Sequence, residues 1–257
     1  MEKLKLVFIH GVMERQEKNY SSFLSERALA LAGADRGAVD VHEIHWARAT
    51  DPLVHRYLKL QYAKSRSFWS FWTKKADPLV IQVLAYLKDK GDRETGRMGI
   101  LKAVDQSFDQ IFKEGPGRAI VIAHSLGALI AFDYLFCFRP QCRMKPDRQI
   151  PAFITMGSPV PLFCAAMGHA ESELRLPPNI ARWMNLVSRT DPVARWTKSM
   201  FKNILIDEQV VGTGFWPFRA HAGYWQSEKV AHSIADEIRR ASNMVKSPLT
   251  VPVALRH

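Results

Sequence analysis

The stretch "RAIVIAHSLGALIAFDYL", Arg118 to Leu135, constrains this chain more than any other. "RAIVIA", Arg118 to Ala123, is a continuous apolar run, the pattern of a strand buried on both faces of a parallel sheet. A second apolar segment with helical spacing follows, predicted as a helix from Ser125 to Phe138. Ser125 sits at the corner between them. A strand that turns sharply into a helix presents its apex side chain at the carboxyl edge of the sheet, where open α/β folds bind ligands. So tight a turn needs small residues two positions to either side, and Ala123 and Gly127 supply them. The pattern is A-x-S-x-G, a variant of the G-x-S-x-G nucleophile elbow. The new helix also offers unpaired N–H groups and the positive end of its dipole. The Leu126 amide is therefore placed to stabilise an oxyanion formed when Ser125 attacks a carbonyl. Capping of the helix by Ser125 is the plainer alternative.

The remaining segments alternate in the same sense. Strand patterns are predicted at Leu4 to Ile9, Val39 to Ala47 (which alternates apolar and polar), Pro151 to Pro159, Arg182 to Ser188 and Asn203 to Val211. Helical patterns are predicted at Tyr20 to Leu31, Asp77 to Gly91, Ile100 to Phe112 and about Ser227 to Ala241. Alternation of this kind implies a doubly wound α/β fold with a mostly parallel sheet. The 257 residues suit one such domain, 1–257, with a helical insert over about 48–99.

Three cysteines, Cys137, Cys142 and Cys164, make neither a metal-ligand spacing nor an even disulfide set, so reduced thiols are expected. The Leu6 to Ile9 run is too short for the core of a signal peptide, and no window approaches 18 apolar residues. The expectation is a cytoplasmic protein. A formal net charge of +11 favours anionic partners. The basic residues are scattered, however, and an unspecific solvated surface explains them too.

"AHSLG", Ala123 to Gly127, resembles the elbow of lipases and esterases of the α/β-hydrolase fold, and "VFIHGV", Val7 to Val12, resembles the first strand and oxyanion loop of such domains. The resemblance runs from residue 4 to about 240 and implies a minimal α/β-hydrolase fold. It departs in three respects: Ala replaces the first Gly of the elbow, two leading strands of the full fold are missing, and the insert matches no family segment.

The resemblance implies several roles. The residue after His-Gly, here Val12 with Met13 as the fallback, donates the second oxyanion amide beside that of Leu126. The order of the triad is Ser, then Asp or Glu, then His. His221 in "RAHAGYW" lies in the expected loop between the last strand and the last helix. His232 falls within the closing helix and His169 before the strand that should supply the acid. Asp191 in "NLVSRTDPV" follows the matching strand, with Asp207 and Glu208 as runners-up inside the next one. "TMGSP", Thr155 to Pro159, is read as structural, with Gly157 and Pro159 shaping a turn near the pocket and Ser158 no second nucleophile.

The function so implied is cleavage of carboxylic esters through Ser125, His221 and Asp191 and an acyl-enzyme, with no cofactor and no metal. A thioesterase, amidase or acyltransferase with the same triad is the near alternative. A non-catalytic, membrane-associated binding module is the distant one. The substrate is then a small-molecule or lipid ester. Within the insert, "SRSFWSFWTKK", Ser65 to Lys75, interleaves four aromatics with cations. It suits a lid, peripheral contact with an anionic membrane, or simple packing on the core. No nucleic-acid module accompanies it, and no nucleic acid is expected.

Overall fold

The computed structural model describes residues 3–12, 19–35, 37–50, 53, 56, 81–87, 96–136, 144–145, 147–166 and 174–244. Six strands build one sheet: β1 (Leu4–Ile9), β2 (Val39–Ile44), β3 (Gly117–His124), β4 (Arg148–Met156), β5 (Trp183–Val187) and β6 (Ile206–Val210). Their order is β2-β1-β3-β4-β5-β6 and every neighbouring pair is parallel. The expectation of a mostly parallel sheet is met by one that is wholly parallel among the described residues.

The apolar runs of β1 and β3 lie inside the sheet, flanked by strands on both sides and covered on both faces. Alternate side chains feed two separate cores. On one face, Val7, Ile9, Val121 and Ala123 pack with Ile100, Leu101, Val104 and Phe108 of α2 (Arg97–Ile111) and with α3 (Leu126–Leu135). On the other, Leu6, Phe8, Ile120 and Ile122 meet Leu24, Ala28 and Leu29 of α1 (Ser22–Ala32). The same core takes in Val230, Ile234 and Ile238 of α6 (Glu228–Met244). Two short helices, α4 (Val160–Ala166) and α5 (Pro217–Ala222), lie between β4 and β5 and between β6 and α6. This is a doubly wound parallel α/β architecture, with the central β3 leading into the buried helix α3.

Every residue of α3 is buried, Asp133 included. Asp133 is tolerated there because Arg97 Nε and the Tyr86 hydroxyl both donate to its Oδ2, at 2.6 Å and 2.7 Å. A buried charge persists only with such pairing.

Several boundaries differ from the sequence reading. The second strand stops at Ile44, and Trp46–Thr50 form a 3-10 turn instead of its end. The Trp46 indole N–H must find an acceptor when buried, and it donates to the His10 carbonyl at 2.7 Å. α2 begins at Arg97, three residues before the expected start, so Gly99 belongs to it and not to the insert. α3 ends at Leu135 rather than Phe138, and the last strand spans only Ile206–Val210. Of the predicted helix Asp77 to Gly91, residues 81–87 are helical. The rest of that helix, the Ser65 to Lys75 segment, Cys137, Cys142, His169, Met13 and the tail from residue 245 lie outside the described residues. Cys164 is a free, buried thiol, pushed up to about 12 by burial and the nearby Asp133 charge. Among the described residues no helix is long and apolar enough to cross a membrane.

Candidate active site

Ser125 is the hinge between β3 and α3. Its φ of 55° and ψ of −126° lie in a region that residues with a Cβ rarely enter. Such a conformation costs on the order of 1–3 kcal/mol and persists only where surrounding contacts enforce it. Two contacts do so here. The Ser125 amide donates to the Met156 carbonyl on the neighbouring strand at 3.0 Å. Behind it, α3 presses on the end of β1 so closely that a Cβ on Gly127 would stand 2.3 Å from the His10 carbonyl oxygen. Glycine is therefore required two positions after the serine. Two positions before it, Ala123 is fully buried, flanked in register by Ile9 and Thr155.

The structure brings together the three residues singled out from the sequence. His221 Nε2 lies 2.8 Å from Ser125 Oγ. His221 Nδ1 lies 3.0 Å and 2.9 Å from the two carboxylate oxygens of Asp191. A carboxylate only accepts, so Nδ1 carries the proton. Nε2 is then free to accept from the Ser125 hydroxyl. His221 resides in α5, not in an open loop as expected. The helix begins at Pro217, and His221 is its fifth residue. The imidazole remains partly open at 21% side-chain exposure, whereas the Asp191 side chain is fully enclosed.

Asp191 follows β5 and is held from every side. The Val193 amide donates to Oδ1 at 2.8 Å, and the Tyr224 hydroxyl donates to Oδ2 at 3.0 Å. Burial, the largest single influence, would raise its pKa. His221, the Val193 amide and the Tyr224 hydroxyl together outweigh burial and hold the carboxyl below its usual range. The carboxylate is thus ionised at neutral pH while shielded from water. Gly157 lets it approach: with φ of 56°, its backbone passes where a Cβ would be 2.8 Å from Asp191 Oδ2. "TMGSP" is accordingly structural. Ser158 is fully buried and its hydroxyl accepts from the Val160 amide.

The remaining candidates are engaged elsewhere. Asp207 pairs with Arg182, and Glu208 accepts from the Thr197 and Lys198 amides and from Asn185. His232 is exposed on α6. Leu126 is the first residue of α3, so its amide is one of the first-turn donors. Val12 lies half-buried in the turn after β1, packed on the core beside α3. Among the described residues no cluster of three His, Cys, Asp or Glu side chains could hold a metal ion.

Two residues of this site escaped the sequence reading. Tyr224 bridges Asp191 and the Ser188 amide, accepting from the latter at 2.8 Å. His124, directly before the serine, lies with its Nε2 2.7 Å from the His221 carbonyl oxygen. The signal for Tyr224 was present in "HAGYW", where it stands three residues after the histidine. Nothing in the local pattern marks His124, because the middle positions of the elbow accept many residue types.

Solved structures of similar course include an esterase of Pyrococcus furiosus, at 14% identity and a TM-score of 0.45, covering 93% of this chain and 83% of that one. An acetyl xylan esterase matches at 9% identity and a TM-score of 0.45 over 93% of this chain and 98% of that one. A YdeN-like hydrolase from Pectobacterium atrosepticum matches at 12% identity and a TM-score of 0.37 over 89% and 92% of the two chains. No family model and no curated protein matches the chain.

Proposed function

We propose that the chain is a serine hydrolase that cleaves carboxylic esters. The observation that carries this reading is the unbroken relay Ser125 Oγ, His221 Nε2, His221 Nδ1, Asp191, with each step between 2.8 Å and 3.0 Å. A serine hydroxyl is a weak nucleophile until a neighbouring base takes its proton, and the base needs an acid to fix its tautomer. As Ser125 Oγ bonds to the acyl carbon, its proton passes to His221 Nε2 and the carbonyl becomes an oxyanion. The amides of Leu126 and Val12 receive that oxyanion, a contribution of about 3 kcal/mol for each donor. His221 returns the proton to the departing alcohol. Water then repeats the sequence on the acyl-enzyme and releases the acid and free Ser125. Asp191 stays ionised throughout and stabilises the imidazolium.

The test is labelling by a fluorophosphonate probe, with Ser125→Ala as the control. Labelling of the parent and not of the variant is expected. Absence of labelling in the parent would replace this reading with a non-catalytic binding module. A series of p-nitrophenyl esters, thioesters and anilides then ranks ester against the related acyl substrates. His221→Ala should lose roughly a thousandfold or more in kcat.

A further inference from the structure

His221 is held at its two ring nitrogens by Asp191 and Ser125, but those bonds do not fix its backbone. The last carbonyls of a helix have no partner within it, and His221 is the penultimate residue of α5. One of them, the His221 carbonyl, is met by His124 Nε2 at 2.7 Å. A carbonyl cannot donate, so Nε2 of His124 carries the proton of this bond. The donor is built into the frame. His124 is the last residue of β3, 2% exposed, and its ring lies 4.8 Å from that of His221. The rings of Tyr224 and Trp225 stand 5.6 Å and 5.5 Å away. On the other side, its Nδ1 is 3.3 Å from the point a Cβ on Gly11 would occupy. One side chain thus stands beside the turn that leads to Val12 and bonds the segment that carries the base, and the nucleophile is its neighbour in sequence.

We propose that His124 is a positioning residue, whose bond to the His221 main chain holds the imidazole in register with Ser125. The inference rests on the hydrolase reading for its consequence in turnover, and on geometry alone for its effect on His221. A loss of register of about 1 Å in a catalytic group is enough to lower turnover a hundredfold. His124 is assigned no proton transfer; it acts through the His221 main chain.

The experiment compares the full-length parent with His124→Phe, which keeps an aromatic ring and removes the donor, and His124→Gln, which restores an N–H donor. Two readouts are taken. The first is solvent exchange of the His221 Nδ1 proton by NMR, assigned through its loss in Asp191→Asn. The second is the rate of labelling by the fluorophosphonate probe. Expected for His124→Phe are exchange at least tenfold faster and labelling at least tenfold slower, with His124→Gln recovering most of both. The proposal is overturned if His124→Phe stays within twofold of the parent. It is overturned equally if His124→Gln behaves like His124→Phe while both melt cooperatively, or if neither variant folds, since His124 is then only packing. Absence of the Nδ1 resonance in the parent overturns it too. A parent that shows the resonance but does not label refutes the hydrolase reading alone, and proton exchange still decides the role of His124.

Discussion

Among the described residues two aspartates are enclosed, and they are compensated in opposite ways. Asp133 lies within α3, and its Oδ2 accepts from Arg97 and Tyr86. Its partner is a guanidinium that never loses its charge. Asp191 lies at the carboxyl end of β5 and meets only neutral donors and a histidine. Its charge is left for a cation that appears only when His221 takes a proton. Permanent compensation makes a strut between helices, whereas a titratable partner makes a group that answers to chemistry. The burial of the two side chains is nearly the same, so burial alone does not separate them.

Substitutions should split the pair. Asp191→Asn is expected to cost about 10³–10⁴ in kcat, because the amide no longer fixes the working tautomer of His221. A kcat within tenfold of the parent would sink the contrast. Asp133→Asn should leave kcat within a few fold but destabilise the fold by about 3 kcal/mol, since it removes the carboxylate charge that pairs with the buried Arg97. Thermal unfolding of that variant, alone and combined with Arg97→Met, checks the point: the double variant should recover most of the loss. Tyr224→Phe should act more mildly, lowering kcat about tenfold through Asp191 while KM stays put. Steady-state kinetics would refute it if KM rose and kcat did not move.

The smallest effect is on acid stability. The folded-state pKa of Asp191 lies below the usual carboxyl value of 3.8. Its ionised form therefore contributes stability that is complete above that value and fades as the pH falls toward the folded pKa. Denaturant unfolding of the parent and of Asp191→Asn should converge as the pH is lowered through this window. Divergence toward low pH would mean that the sign is wrong.

The legibility of these two sites in the sequence differed for a physical reason. β3, the elbow and α3 are local: an apolar run, a serine between two small residues, and a second apolar run define them within eighteen residues. Asp191 and His221 are legible only through chain order and a family likeness, since no local pattern links positions so far apart. The Arg97–Tyr86–Asp133 cluster left no trace, because Asp133 inside an apolar helix reads as an ordinary polar position until its partners converge. His124 was hidden for the same reason: its meaning lies in a backbone carbonyl ninety-seven positions away. Strand ends differ from the periodicity where an indole or a short turn claims the backbone, as at Trp46.

Because all six strands run the same way, every residue of the relay collects along one rim of the sheet. The opposite rim carries the turns that enter the strands, such as residues 113–116 ahead of β3, where Gly115 adopts φ of 119°. The molecule therefore has a working side and a service side. Dyes, surface tethers or fusion partners belong on the service side, where attachment leaves the Ser125–His221–Asp191 relay undisturbed.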